Sequence, residues 1–360
     1  MSAELESAVE SSQQATTPRK KGAWRRHDWA ALFRTSTVFL VVGATWLLFS
    51  QLTPYFLTKS NLYNIGIQSS NVAIIAVGLT IVLIAAEIDL SIGAVQALTG
   101  SIAAVLIIQQ GQPVWLGILV PLIVGPCIGV ASGLLTWKLR IPSFIGTLAM
   151  IGGAGGAALL ITNNAPINGY PDSYLNFWTG YIFGDFPKVI LIALGVVVVA
   201  HVFLNRTRTG RHIYAVGGSA EASALSGITP GRVKLIALML SGLTAAIGGE
   251  ILSARLNAGS GEFGREDLLP AVAAVVIGGT SLFGGRGSVW GTLGGVLLLT
   301  SIANGLILLD VESAWREIVI ALMIVLAMLL DQLLKAEWSL GMKRIPAFRR
   351  LSHRGAGREP

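Results

Sequence analysis

Long apolar runs separated by short polar turns dominate this chain. Ten are long enough to cross a bilayer, at roughly 36–53, 65–86, 90–109, 114–137, 143–162, 189–204, 234–254, 268–285, 289–309 and 315–334, since a crossing helix needs ~20 residues. Two regions break the pattern. The stretch 65–109 is interrupted by Glu87 and Asp89, and the run 268–285 ends in the glycine-rich IGGTSLFGG. That second run reads either as a full crossing or as a broken or re-entrant helix. The longest polar stretch of the C-terminal half is 205–234, which carries Arg206, Arg208, Arg211, Arg232 and Lys234 and no acid except Glu221. The pattern predicts an all-α integral membrane protein of about ten transmembrane helices, some broken or rich in Gly. It divides into a basic, partly disordered tail at 1–35, a membrane domain at 36–335 and a second basic tail at 336–360.

Charge fixes the expected orientation. With the N-terminal tail in the cytoplasm and every run crossing once, 21 Lys and Arg fall inside and five outside, which satisfies the positive-inside rule. The N-terminal tail, the Lys138–Arg140 turn, the 205–234 loop and the C-terminal tail are all basic, so an even number of crossings should separate each pair. Ten crossings meet this condition and nine do not, which favours full passage of 268–285 and places both termini in the cytoplasm.

Composition agrees with the pattern. The chain has 360 residues, 53% apolar and 12% charged, where a soluble domain carries about 25% charged. The net charge of +7 is read as topology rather than nucleic-acid binding. A lone cysteine, Cys127, allows no internal disulfide, and the four scattered histidines form no metal-binding pattern. The first apolar run starts too far from Met1 for a cleavable leader. No G-x-x-x-x-G-K-S/T, H-E-x-x-H or G-x-S-x-G occurs, so neither an ATP site, a catalytic residue nor a bound cofactor or metal is expected in this chain.

Several polar residues inside the runs are candidates for chemistry. A carboxylate at the bilayer centre costs about 2.5–3.5 kcal/mol on insertion scales. Asp89, followed by Leu90 and Ser91, has the form of a helix start. It is read as a cap, with a place on a substrate path as the alternative. Glu250 is expected to pair with Arg255 near an interface. Asn71 and Asn304 offer hydrogen bonds either to a polar solute or between helices. Asn71, Asp89 and Asn304 are the substrate-pathway candidates. The outer segment 163–188, rich in Asn, Gly, Pro and aromatics, suits either partner docking or an interfacial aromatic belt.

Four blocks then carry a resemblance: IDLSIG at 88–93, GRHIYAVGGSAEASALSG at 210–227, AAVVIGGTSLFGGRG at 273–287 and NGL at 304–306. They resemble the ribose/xylose-type permeases of bacterial ABC sugar importers, over about residues 36–335. The resemblance implies a multi-pass protein of the bacterial plasma (inner) membrane that binds neither ATP nor Mg itself. Both would sit on partner ATP-binding subunits docked at the cytoplasmic side. A periplasmic or extracellular sugar-binding protein would deliver a pentose, hexose or polyol, and a second permease copy, identical or not, would complete the pathway. The ATPase-coupling region would comprise Gly210, Arg211, Gly217, Gly218, Ser219, Glu221, Ala222, Leu225 and Gly227, with a short helix at 219–225. The family usually has Asn at the place of Ser219, Ala-Arg at Ser223 and Ala224, and Glu-Leu-Asp-Ala where this chain has Asp267, Leu268, Leu269 and Pro270. Those departures bear on substrate and ATPase fit rather than on the family.

Two other classes compete. A permease for another small polar solute, such as a branched-chain amino acid, lies within the same superfamily. An ion-coupled secondary transporter would need Glu87, Asp89 or Glu250 to face a central cavity. A membrane enzyme would need clustered polar residues at one face, and the sequence offers none.

Overall fold

The computed structural model describes residues 23–316 and, apart from 317, 320, 324, 327 and 328, continues to 329. The tail at 336–360 and residues 1–22 of the N-terminal tail lie outside the described residues. The remainder of the expected tail, from Ala23, is already helix α1 (Ala23–Leu52).

Helices make nearly the whole fold. They are α2 (Lys59–Ile84), α3 (Ile92–Ala104, running on through a π-turn at Val105–Gln109), α4 (Val114–Trp137), α5 (Ser143–Ile161), α6 (Asp172–Thr179) and α7 (Lys188–Arg206). After them come α8 (Arg208–Gly218), α9 (Ala220–Leu225), α10 (Pro230–Leu256), α11 (Leu268–Ile277) and α12 (Val289–Leu308), and the described residues from 313 to 329 are helical too. Among the described residues, seven helices are long and apolar enough to cross a membrane: α2, α3 with its π-turn, α4, α5, α7, α10 and α12. The protein is therefore an all-α membrane protein. Among the described residues sheet is limited to two short antiparallel pairs, Ile167–Asn168 with Ala258–Gly259 and Tyr181–Ile182 with Phe186–Pro187.

Two long helices form the axis. α2 and α10 run antiparallel through the middle, and α4 lies along α10 by way of a small-residue stripe. A Cβ at Gly125, Gly129 or Gly133 would strike the backbone of Gly242, Leu238 or Leu235 on α10. Such close backbone approach replaces the hydrophobic drive that lipid cannot supply.

Each axial helix ends in the same way. α2 stops at Ala85, and Ala86 turns the chain with φ 59°; α10 stops at Leu256, and Asn257 turns it with φ 52°. In both cases non-helical chain then re-enters the bundle and a short helix completes the passage. After α2 the passage begins at the end that holds α8 and α9, and residues 86–91 lead into α3. After α10 it begins at the opposite end, where the strands lie, and residues 260–267 lead into α11. The two units are inverted copies of one plan.

The run expected at 268–285 is thus half a crossing. α11 has ten residues, about 15 Å of helix against a core of about 30 Å. The other half is the irregular segment before it. Gly259 packs on Gly100 and Ala104 of α3, Gly261 on Ala158 and Leu159 of α5, Gly264 on Gln96, and Arg265 against Gly93 and Gly155. This track descends from the strand end into the bundle. Backbone that is not helical is tolerated at that depth only because protein encloses it.

Candidate functional site

The polar stretch at 205–234 folds into two short helices. Thr207 Oγ1 accepts from Gly210 N at 3.0 Å and starts α8. Gly210 lies so close to the carbonyls of Phe203 and Leu204 that a Cβ would collide with both. Ser219 Oγ accepts from Ala222 N at 3.2 Å and caps α9, which is the short helix expected at 219–225. The helix ends at Leu225, and Gly227 follows with φ 81°. Glu221 in the first turn of α9 suits the positive end of the helix dipole. Arg211 is exposed and donates to the carbonyl of Arg206 at 3.5 Å. Leu225 is 86% exposed at the tip.

Gly217 is the pivot of this region. A Cβ there would run into the carbonyl of Ile84, at the end of α2, and into the amide of Gly285. Those two groups are themselves bonded, Gly285 N donating to Ile84 O at 2.9 Å. Tyr214 donates its hydroxyl to Gly287 O at 2.9 Å, and burial pushes that phenol up to about 12. Lys234, at the start of α10, pairs with the buried Glu87. One compact junction therefore ties α8 to the end of α2, to the 85–91 break and to the 278–287 loop behind α11. At Gly218 an added Cβ meets open space.

The pathway candidates do not converge. Asp89 is 2% exposed and accepts from Ser91 N at 2.9 Å and Ser91 Oγ at 2.6 Å, so it organises the entry to α3. Asn304 and Asn61 exchange two amide hydrogen bonds, at 2.8 and 2.9 Å, joining α12 to α2. Asn71 stands apart from both. It lies twelve residues from Lys59 and thirteen from Ile84, at the midpoint of a helix about 38 Å long. Its amide donates to Asp267 Oδ2 at 3.0 Å, and Gln96 Nε2 reaches the same oxygen at 3.4 Å. Gln96 carried no weight in the sequence analysis, and Asp267 entered it only as a departure from the family's usual pattern. An isolated Gln inside the apolar α3, and an Asp immediately before α11, were the signals available. The group sits where the first turns of α3 and α11, coming from opposite ends, meet.

Glu250 does not behave as expected. Among the described residues no ion pair joins it to Arg255; instead Trp178 donates its indole N–H to Glu250 Oε2 at 3.0 Å. Trp178 comes from the 163–188 segment, together with Tyr170 and Tyr174, whose rings stack at 4.2 Å. All three are buried, so these aromatics close over α10 rather than facing outward. Phe177, Tyr181 and Phe183 remain exposed. Beside them is a cavity of about 420 Å³, lined in part by Asn64, Gln68, Asn176, Thr179 and Arg255. Asn64, Gln68 and Asn71 share one face of α2, so a polar stripe leads from this cavity towards Asp267.

Comparisons with known proteins agree with this architecture. The family described as "Branched-chain amino acid transport system / permease component" matches residues 61–328. The ribose import permease protein of Haemophilus influenzae is 40% identical over 289 residues, covering 79% of this chain and 89% of the relative. A probable ABC transporter permease protein of Escherichia coli is 36% identical over 298 residues, 82% and 89% of the two chains. The xylose transport system permease protein of Escherichia coli is 34% identical over 340 residues, 78% and 86% of the two. No solved structure matches the chain.

Proposed function

The chain belongs to the branched-chain amino acid transport system / permease component family, and from that premise we propose that it is the membrane subunit of an ABC importer for a monosaccharide, a pentose or hexose, or a related polyol. Relatives named for ribose import and xylose transport support the sugar. ATP and Mg belong to separate subunits that dock on α8 and α9. A binding protein delivers the solute at the strand end, and a second permease copy completes the pathway. The chain crosses ten times in the bacterial inner membrane with both termini in the cytoplasm. The crossings that supplement the seven long helices are α1, the broken passage 260–285 and the helical residues after 313.

The observation that carries this reading is the junction at Gly217. A motor acting on a surface helix can drive a membrane site only through a rigid connection. Here α8 is wedged by backbone contact against both the end of α2 and the loop that leads out of α11. Departures in the coupling region and at Asp267 leave the particular sugar to experiment.

One observation favours ion-coupled transport as a second reading: the Asp267 carboxylate at mid-bundle, held by two amides. Reconstitution separates the two. The chain, its ATP-binding subunits and its binding protein are placed in liposomes, and uptake of radiolabelled ribose and xylose is measured. ATP-dependent uptake without an ion gradient supports the importer. Gradient-driven uptake by the chain alone, without ATP, overturns it.

A further inference from the structure

The irregular half-crossing 260–267 carries charge at a depth where lipid would not accept it. Asp267 lies opposite Asn71, about 18 Å along α2 from Lys59. Arg265 lies against Gly93, the second residue of α3, and against Gly155, two turns from the end of α5. Residues 262–266 therefore occupy the layer between the strand end and the centre of the bundle. Yet Glu262, Arg265 and Glu266 are all exposed, the Glu262 side chain 62% and the Arg265 side chain 39%.

Charged side chains at membrane depth pair with one another, turn into the protein or face water. Glu262 and Arg265 are 3.4 Å apart, so they pair in part, but both keep solvent-accessible surface, and Glu266 adds a further charge beside them. The neighbouring face of α5 is glycine-rich. A Cβ at Gly152, Gly153 or Gly156 would meet nothing within 4 Å. A membrane face that carries exposed charge beside open helix is unsuited to acyl chains and suited to water.

We propose that residues 262–267 line the water-filled path of the transported solute, and that Arg265 and Glu266 are side chains it meets at mid-membrane. This rests on the reading of the chain as a permease. A guanidinium beside a carboxylate offers donors and acceptors together, the combination that hydroxyl groups of a polyol satisfy in both roles. Asp267, Asn71 and Gln96 stand behind them as positioning residues. They fix the start of α11 relative to α3, so that displacement of α11 reshapes this lining.

Thiol accessibility tests the proposal in the assembled transporter. Cys127 is the only cysteine of the chain and is exposed, so Cys127→Ser is made first. Glu266→Cys and Glu262→Cys are then introduced singly, with Val199→Cys on α7 and Leu47→Cys on α1, both 68% exposed on outer helices, as lipid-facing controls. A membrane-impermeant methanethiosulfonate is applied to both sides of reconstituted membranes. The two path cysteines should react at least about tenfold faster than the controls, because a thiol in hydrocarbon does not ionise. Their rates should also differ between nucleotide-free and vanadate-trapped complexes. Either cysteine suffices if the other fails to assemble. Rates as slow as Val199→Cys overturn the proposal. Fast rates that are identical in both nucleotide states overturn it too, since they mark a static water pocket. Loss of ATP dependence in the Cys127→Ser parent would instead refute the permease reading.

Discussion

The two broken crossings share a plan and differ in what surrounds the break. At residues 86–91 both carboxylates are buried, and only the apolar Ala86 and Ile88 are exposed. Asp89 is buried on Ser91, and two hydroxyls of α5 hold the strand-like backbone, Ser143 Oγ accepting from Ile88 N and Thr147 Oγ1 from Leu90 N, both at 3.2 Å. Residues 260–267 bring three exposed charged side chains to a similar depth. A break that serves only to redirect the chain satisfies its polar groups internally. A break that keeps charges open to solvent does so for something that passes.

The largest test of this contrast is at the junction that ties the 86–91 break to the loop behind α11. Gly217→Val should reduce ATP-dependent uptake by two orders of magnitude or more while the complex still hydrolyses ATP, because the new side chain must part α8 from Ile84 and Gly285. Gly218→Ala, one residue away in open space, should transport like the parent. Equal effects at the two positions would show that the junction transmits nothing.

The two Asp residues come next. Asp267→Asn should lower uptake about tenfold with little change in thermal stability, since the amide oxygen still accepts from Asn71 and Gln96 while the carboxylate at the open break is lost. Asp89→Ala should do the reverse, costing about 1–3 kcal/mol of stability because the buried amide and hydroxyl of Ser91 lose their acceptor, and leaving the apparent KM for uptake unchanged. Thermal unfolding of detergent-solubilised protein beside uptake kinetics separates them. A smaller effect is expected from Thr147→Val, which strips the Leu90 amide of its acceptor. It should destabilise by about 1 kcal/mol, and its combination with Ser143→Ala should be non-additive, because the two hydroxyls hold one segment.

The smallest effect belongs to the strand end. Lys59 and Asp185 pair at 2.7 Å in full exposure, and the ammonium holds the Asp185 carboxyl below its usual range. The folded pKa is depressed, so any stabilisation is present at neutral pH and lost as pH falls through the carboxylate range. Asp185→Asn should therefore differ slightly from the parent at pH 7 and not at all at pH 3, by melting temperature.

Much of this was legible in the apolar pattern. The long helices followed from hydropathy, and Asp89-Leu90-Ser91 was recognisable as a helix start from its capping chemistry. The short helix at 219–225 followed from Ser219 and the glycines around it. The run at 268–285, read as either a full or a broken crossing, is helical only over Leu268–Ile277, and for a physical reason. Hydropathy credits only apolar residues, and half of this passage is SGEFGRED, which protein rather than lipid surrounds. Gly278 and Gly279 end α11 early, the latter with φ 85°. The pairing of Gln96 with Asp267 was missed for a related reason. Each is a single polar side chain whose meaning comes from the other, 171 residues away.

The hydrogen bond from Gly285 to Ile84 has a mechanical consequence. Leading away from it are two unlike members. α11 is a helical strut, stiff along its axis, so it carries compression as well as tension. Residues 86–91 are a non-helical strap, which goes slack under compression and carries tension only. A piston stroke at α8 towards the bundle would thus advance the start of α11 while α3 stays put, shearing the two across Asp267. The return stroke would draw on both. The same hinge would act as a ratchet, asymmetric in its two directions.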